Sequence, residues 1–446
     1  MFLKTNSGKI LGSNSVGDVV QLSILAENVP KFIDLKSDGH KIIEGKLAGY
    51  EIVRAGESSV QLKSNDLYIC AAPGWNSVEF DRKSASLWET FELIDWAQLN
   101  AIIEEGELSL RDGALRPASK VWGGTKFVRS DPSVSEIRHA FYVPWSLQGP
   151  WGLFTSDGTP VVDAMVGRLI YNIPLDVLLT SDDIECTASD DVYIYGGFFN
   201  CHFGHFLIDT LPRYWNEGLF GKGRPKIVCH SEEVPKEWFN NSFVAQIMGA
   251  LGLCYEDFVV FDRPTKLKHV IVPRPALVGQ TLIHPIYADM CRRISNILCG
   301  GDKIGSADEA VFYSRTKLRM GTLKIINDFD LEEEIRSLGA RIVYPEMLNL
   351  IDQIKLMSEA NHIIGTTGSF LHLSAFCQEP RLISALAHAS GVASNFHLID
   401  LAAGNIARYV EPVSYETVDP PYGFMGGARL NNVRAIAKEL MELPSR

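Results

Sequence analysis

From about residue 161 onwards, short apolar runs alternate with segments of helical periodicity, and no other feature constrains the fold as strongly. Runs such as 226–229, 311–313 and 362–364 predict buried strands, and a segment with apolar residues at helical spacing follows each. Strands that alternate with helices pair in parallel and are covered by the helices. We therefore expect an α/β fold in this part of the chain.

A break near residues 285–305 divides the alternation into two series. This predicts two Rossmann-like domains, one over residues 161–290 and one over residues 291–446, the second ending in an amphipathic helix. In such sheets ligands bind in the crevice at the carboxyl ends of the strands.

The first 95 residues have a different pattern, with short strand candidates separated by turns rich in Gly, Asn and Asp. This spacing predicts a small all-β domain. A noisy three-fold recurrence of the strand pattern resembles the β-trefoil of fascin-like and lectin-like modules, and a small barrel or sandwich is the alternative. Residues 96–160, in which Trp122, Trp145 and Trp151 lie among Gly and Pro, are expected to form an irregular connector packed on the α/β half.

Composition narrows the functional classes. The 446 residues include 42 Lys and Arg against 54 Asp and Glu, a formal charge of −12, which argues against a broad nucleic-acid surface. No apolar run reaches the roughly 18 residues of a membrane-spanning helix, and the N-terminus turns polar too early for a signal peptide. Eight scattered cysteines without a CxxC pair predict free thiols and a cytoplasmic protein, either free or at the inner face of the membrane.

The densest polar motif, residues 196–209, follows a strand candidate and opens a helix candidate. His202, His205 and Asp209 are spaced three and four residues apart, so on a helix they share one face. Two imidazoles and a carboxylate are suited to proton transfer near neutral pH. The same spacing also suits a metal ion, or a structural histidine pair bonded to its own turn.

A second motif, residues 313–319, places Arg315, Lys317 and Arg319 directly after a strand candidate. Guanidinium groups there could clamp a diphosphate through two-pronged contacts, and a solvated loop is the alternative.

A third motif forms a Gly-rich turn between a strand and a helix, an arrangement that can bind phosphate through backbone N–H groups. Its members are Gly365, Thr366, Thr367, Gly368 and Ser369. Asp328 and Asp330 spell a DxD pattern, but their position before a helix favours capping over metal binding.

Taken in order, these motifs resemble glycosyltransferase family 61 over about residues 190–390. The family includes bacterial capsular-polysaccharide enzymes, plant xylosyl- and arabinosyltransferases and EGF-domain O-GlcNAc transferases. The resemblance implies two Rossmann-like domains of GT-B type, inverting transfer and, usually, no metal. The family's functional positions correspond here to His205, Asp209, Arg315, Asn327, Asp328, Glu346 and Gln353.

The chain departs from the family at Thr367, where the family usually has histidine before the glycine. A threonine hydroxyl can donate to a phosphate oxygen but carries no positive charge, which bears on donor preference and on activity.

The resemblance leads us to expect a metal-independent hexosyl- or pentosyltransferase in polysaccharide biosynthesis, with no cofactor beyond its nucleoside-diphosphate sugar. Asp209 or His205 is the candidate base, and the other motif residues, with His202 and Arg319, are candidate substrate-binding groups. The first Rossmann domain would hold a glycan or glycolipid acceptor and the second the sugar nucleotide. A homo-oligomer, a degenerate transferase that binds carbohydrate, and a metal hydrolase built on His202, His205 and Asp209 are left open.

Overall fold

A computed structural model describes most of the chain. The described residues are 1–5, 10–13, 19–22, 32–37, 40–55, 58–71, 78–85, 89–102, 113–146, 151–164, 186–221, 223–300, 307–387 and 391–444. Parts of the predicted connector (103–112 and 147–150), the start of the first predicted Rossmann domain (165–185) and part of the predicted hinge (301–306) lie outside them.

The N-terminal region forms one antiparallel sheet of eight strands in the order β3-β2-β1-β8-β5-β6-β7, with β4 paired to β5. The strands are β1 Phe2–Thr5, β2 Ile10–Ser13, β3 Val19–Leu22, β4 Glu51–Arg54, β5 Ser59–Ser64, β6 Leu67–Cys70, β7 Glu79–Arg82 and β8 Thr90–Ile94. The first strand pairs with the last over four residues, so contacts distant in sequence hold the sheet together. The three-fold repeat of a trefoil stays a prediction.

The segment that we expected to be an irregular connector carries five strands. They are β9 Leu115–Pro117, β10 Val121–Trp122, β11 Lys126–Phe127, β12 Val134–Val143 and β13 Gly152–Phe154. The ten-residue β12 pairs antiparallel with residues 265–273, and β9 pairs antiparallel with residues 410–412. The segment is therefore built into both α/β sheets. Exposed and half-buried residues alternate along Val134–Arg138, as is typical of a strand. The sequence analysis missed this alternation.

The first α/β sheet has the strand order β13-β12-β18-β15-β16-β17, with β14 paired to β18. Parallel pairing joins β18, β15, β16 and β17, whereas β12 and β13 extend the sheet in antiparallel fashion. The further elements of this part of the chain are β14 Cys186–Thr187, β15 Tyr193–Phe198, α1 Phe203–His205, β16 Lys226–His230, α2 Pro235–Trp238, α3 Ser242–Ala250, β17 Phe258–Val259 and β18 Thr265–Pro273. The hairpin of β19 Leu277–Val278 and β20 Leu282–Ile283 then forms a separate three-stranded sheet with β11.

The second sheet has the order β23-β21-β24-β25-β27-β9, and its first five strands are parallel. The elements of this part of the chain are α4 Ile286–Leu298, β21 Ala307–Tyr313, β22 Gly321–Ile325, α5 Asp328–Ser337, β23 Arg341–Val343, α6 Leu350–Glu359, β24 Ala360–Thr366, β25 Leu382–Leu386, β26 Val392–Ala393, α7 Ser394–Ala403, β27 Ile406–Pro412, β28 Tyr415–Val418, β29 Phe424–Leu430 and α8 Val433–Met441. Of these strands, β22, β29 and β28 form a separate three-stranded sheet, and β26 pairs with β10. Counted along the chain, the parallel strands lie in the doubly wound order 2-1-3-4-5, whose switch point falls between β21 and β24. The α/β fold class is confirmed.

One hydrophobic core spans both α/β sheets. Ile194 and Ile227 of the first sheet belong to the same buried cluster as Tyr313 and Ile363 of the second. The buried face of α4, which occupies most of the region where we expected a hinge, belongs to this cluster too. The two halves of the α/β region are thus joined through a shared apolar interior.

Two predictions made from composition can be compared with the structure directly. All eight cysteines are free, as expected. Across the described stretches, no helix combines the length and the apolar character needed to cross a bilayer.

His230, at the end of β16, is a buried hydrogen-bonding centre in the first sheet. Its ring stacks on Tyr142 with centroids 4.2 Å apart. Its Nε2–H donates to the Val143 carbonyl at 3.0 Å, and the Tyr195 hydroxyl lies 3.1 Å from Nδ1. Burial lowers the pKa of His230 to about 3, so the native state keeps this imidazole neutral.

We expect acid to destabilise the protein partly through this residue. The unfolded chain binds the proton near the ordinary pKa of 6.5, so stability present above that pH is lost as the pH falls towards the folded value. When the pH is lowered from about 7.5 to about 5, the free energy of unfolding measured in urea should fall less in His230→Gln than in the wild type. The difference between the two decreases should be about 2 kcal/mol. Equal losses in the two proteins would show that His230 is protonated normally in the native state.

Candidate active site

The first motif folds as a compact chain reversal after β15. His202 precedes α1 in an extended conformation, and its backbone N–H donates to the Asn200 side chain at 2.8 Å. A π-helical turn at Phe206–Thr210 and a 3-10 turn at Leu211–Arg213 follow α1. The apolar periodicity predicts a helix over residues 207–219, whereas the helical turns run from Phe203 to Arg213.

The reversal brings together the three polar residues that the sequence singled out. His205 Nδ1 lies 2.8 Å from Asp209 Oδ2, a direct hydrogen bond. The rings of His202 and His205 have centroids 5.2 Å apart. Burial, and then the neighbouring His205, lower the pKa of His202.

Asp209 lies deeper than His205. Its side chain is 15% exposed, against 36% for His205, so the imidazole is the more accessible member of the pair. The second carboxylate oxygen, Oδ1, is buried and has no hydrogen-bond partner among the described residues. A Cβ atom on Gly279 would stand 3.4 Å from that oxygen, so the β19–β20 hairpin covers the carboxylate.

Arg315, in the second motif, is half-buried and bonded to backbone. Its Nη1 donates to the Thr367 carbonyl at 3.0 Å and its Nη2 to the Leu323 carbonyl at 3.5 Å. Burial lowers the pKa of Arg315, and the negative charges of Asp328 and Glu346 oppose this effect. Arg319 is exposed and lies beyond the buried part of the motif.

Lys324 and Asp328 close one side of this region. Lys324 Nζ lies 2.6 Å from Asp328 Oδ2 and donates to the carbonyls of Arg315 and Thr316. Burial raises the pKa of Asp328 despite the lysine. The pocket between Arg315, Lys324 and Asp328 measures about 10 Å³, which is room for about one water molecule.

Two further family positions, Asn327 and Gln353, make hydrogen bonds that hold the backbone around them. The Asn327 amide donates to the Leu430 carbonyl at 3.1 Å and accepts from the Leu430 N–H at 2.9 Å, which ties β29 to the start of α5. Gln353 donates to the carbonyls of Pro345 and Leu348 and so fixes the 3-10 turn that carries the exposed Glu346.

The third motif forms a turn after β24. Thr366 and Thr367 are buried, and the Thr367 N–H donates to the Leu386 carbonyl at 2.9 Å. A 3-10 helix, Ser369–Phe376, begins after Gly368, where the sequence suggested an α-helix. A Cβ on Gly365 would stand 2.6 Å from the Phe370 ring, so this close packing requires glycine.

The three motifs meet at this turn. A Cβ on Gly204 would stand only 2.5 Å from Ser369 Oγ, so the first motif packs directly against the third. Arg315 joins the second motif to the third through the Thr367 carbonyl. The turn and Arg315 follow β24 and β21, the two strands at the switch point of the second sheet, where open α/β sheets bind ligands.

Two residues that the sequence reading missed support this arrangement. The buried Glu332 accepts hydrogen bonds from Ser314, Thr316 and Tyr344, so it fixes the chain on both sides of Arg315. In the sequence it looks like part of a solvated acidic helix face, and only its burial shows otherwise.

His372 is the second missed residue. It is buried, its Nδ1 has no partner among the described residues, and its ring stacks on Phe396 with centroids 5.0 Å apart. Burial, followed by the nearby His205, lowers its pKa to about 4. A histidine inside an apolar segment of the sequence gives no indication that it will lie close to His205 in the fold.

Comparison with known families is informative over this same stretch. Residues 203–383 match the family model described as Glycosyltransferase 61. That range is less than half of the chain, and it contains all three motifs apart from residues 196–202 of the first. The match supports the resemblance drawn from the motifs and a glycosyltransferase activity. No curated protein matches the chain. In the described part of the molecule, no three His, Cys, Asp or Glu side chains are grouped as metal ligands would be.

The contact between Gly204 and Ser369 should be sensitive to volume. Gly204→Val places atoms inside the contact distance of Ser369 Oγ, and overpacking of this kind costs about 1–3 kcal/mol. Ser369→Gly in the same chain should recover part of that loss in free energy of unfolding, which a double-mutant cycle measures.

Gly249 offers a control, because a Cβ there meets nothing within 4 Å. Gly249→Val should show no coupling to Ser369→Gly. Coupling energies equal for the two glycines would contradict the contact.

Proposed function

We propose that the protein is an inverting glycosyltransferase that moves a sugar from a nucleoside diphosphate to a hydroxyl of a glycan acceptor, without a metal cofactor. The observation that carries the proposal is the meeting of the His205–Asp209 pair with the turn at Thr366–Ser369 and with Arg315. An inverting transfer needs a base at the acceptor and stabilisation of the departing diphosphate, and the site offers candidates for both.

His205 is the better candidate for the base. Its Nδ1 is engaged by Asp209, which leaves Nε2 as the nitrogen that can take the acceptor proton. It is also more exposed than the carboxylate. Asp209 would hold the ring in one orientation and stabilise the imidazolium formed when the hydroxyl attacks.

The donor diphosphate would lie on the Ser369 side of the turn. The first N–H groups of a helix lack partners within the helix, and Gly368 and Ser369 begin one here. The positive charge of Arg315 lies beneath the turn, and that of Arg319 is exposed nearby in the chain. The ion pair of Lys324 and Asp328 fills the opposite side, where the pocket holds about one water.

The family resemblance supports a place in the synthesis of a capsular or other surface polysaccharide. It also supports a GT-B arrangement in which the first α/β sheet carries the acceptor and the second carries the sugar nucleotide.

A second candidate function, carbohydrate binding by a degenerate transferase, is favoured by Thr367. Its side chain is buried, and its backbone is hydrogen-bonded to Leu386 and Arg315. A threonine side chain carries no charge at the position where the family usually has histidine. The metal-hydrolase alternative would need His205 and Asp209 to face one ion, whereas these two side chains bond to each other.

Removing either member of the pair should abolish most of the turnover. His205→Ala and Asp209→Asn should each lower kcat on the order of 10²-fold, and the double variant should lose little more, because the two act as a unit. Donor affinity should change little. Initial rates with a sugar nucleotide that the protein accepts provide the measurement.

His269 and Glu136 are a matched control, since they form a histidine–carboxylate contact of 3.1 Å elsewhere in the α/β half. Glu136→Gln should leave kcat unchanged. Normal turnover in both His205→Ala and Asp209→Asn would place the chemistry elsewhere.

Donor binding should not need a divalent ion. A ligand that binds only the folded state raises the unfolding temperature, so UDP-, GDP- and CDP-sugars can be compared by thermal shift in EDTA and in manganese. We expect one nucleotide class to give the same shift in both. An increase in unfolding temperature that appears only with manganese would indicate that Asp328 and Asp330 are metal ligands.

A further inference from the structure

A second and larger cavity lies where the N-terminal sheet meets the segment that leads into the α/β half. Its volume is about 260 Å³, far above the roughly 10–15 Å³ that one water needs. None of its lining residues belongs to the candidate active site. Strands β1, β5 and β8 form one wall, and Ser119 and Lys120 form the other.

Hydroxyl groups dominate the lining. Five residues supply them: Thr5, Ser58, Ser59, Thr90 and Ser119. Hydroxyl groups both donate and accept hydrogen bonds, so a concentration of them suits a ligand that is itself rich in hydroxyls.

The charged lining residues favour an anion. Lys4 and Lys120 contribute two ammonium groups and Glu92 one carboxylate, with Lys4 Nζ 3.0 Å from Glu92 Oε2. This is a local positive excess in a chain whose formal charge is −12. The two ammonium groups are close enough to repel each other, since Lys4 contributes to lowering the pKa of Lys120 after burial.

Both walls are held in place before any ligand arrives. Strand pairing sets Lys4 opposite Glu92 and Ser59 opposite the same residue. On the other wall, the Ser119 N–H and hydroxyl donate to the buried Glu411, and the Lys120 carbonyl accepts from Val392. A rigid site loses less entropy on binding than a mobile one.

We propose that this cavity binds an anionic saccharide, a sugar unit that carries a carboxylate or a phosphate. The anionic group lies between Lys4 and Lys120, and the sugar hydroxyls bond to the serine and threonine side chains. The site does not depend on catalysis. If the transferase function proposed above holds, the site positions the acceptor glycan and gives the N-terminal sheet its role.

Titration calorimetry with four probes tests the proposal: glucuronic acid, glucose 6-phosphate, glucose and inorganic phosphate. One or both anionic sugars should bind at least on the order of tenfold more tightly than glucose and than phosphate, because charge-assisted hydrogen bonds add to those of the hydroxyls. The anionic sugar that binds more tightly shows whether the site prefers a carboxylate or a phosphate. Binding of glucose or of phosphate as tight as that of both anionic sugars would overturn the proposal.

Charge variants then locate the site. Lys120→Gln should weaken the preferred anionic sugar on the order of tenfold, and Glu92→Gln should strengthen it, since it removes the competing carboxylate. Lys36→Gln is the control, because Lys36 pairs with Glu44 on the exposed surface and does not line the cavity. Unchanged affinity in Lys120→Gln would place the binding elsewhere.

Ser59→Trp, which fills the cavity, should abolish binding, and a thermal unfolding curve shows whether the variant folds. If Ser59→Trp does not fold, the affinities of Lys120→Gln and Glu92→Gln for the anionic sugar decide whether the cavity is the binding site. The sugar-nucleotide shift should be unchanged in Lys120→Gln, so failure of donor binding and failure of this site are distinguishable.

Discussion

The arrangement of the candidate site depends on one close approach, that of Gly204 to Ser369. With a side chain at residue 204, the reversal that carries His205 and Asp209 could not reach the turn after β24 without a shift of several tenths of an ångström. The shared core stabilises this approach, because residues of both sheets and of α4 pack in one apolar cluster. Packed interiors deform little, so the relative position of the His205–Asp209 pair and the turn is set by the core and not by the polar residues themselves.

A half-buried cation is the second constraint. Arg315 lies half-buried with its guanidinium bonded to backbone carbonyls, and Asp328 and Glu346 offset the loss of hydration. A charge removed from water is stable only when it is paired or hydrogen-bonded. The consequence is that Arg315 both positions the turn and keeps positive charge beneath it. A threonine at residue 367 is compatible with this arrangement, because hydrogen bonds of the Thr367 backbone, and not of its side chain, hold the turn.

Much of the fold could be predicted because strand and helix alternation is a local property of the chain. The α/β class, the three motifs and the placement of His205 and Asp209 on one face of the chain all follow from spacing. Contacts between motifs do not, because they depend on which strands become neighbours in the sheet. Glu332 and His372 were missed for the same reason: an acidic residue in a charged helix and a histidine in an apolar run look ordinary until burial is known. The strands within 113–154 were missed because Gly, Pro and Trp are frequent in this segment, and because exposed and half-buried residues alternate only over Val134–Arg138 of β12.

The segment between the N-terminal sheet and the α/β half links the two proposed sites. β9 and β10 belong to this segment, and both pair with strands of the α/β half. Ser119 and Lys120 lie between them and face the N-terminal sheet across the larger cavity. Glu411 anchors this stretch, since it accepts from the N–H groups of Ser119 and Gly391. A ligand that bridges the cavity therefore contacts an element fixed to the α/β half, so binding there can orient a glycan relative to the proposed active site without any movement of the sheets.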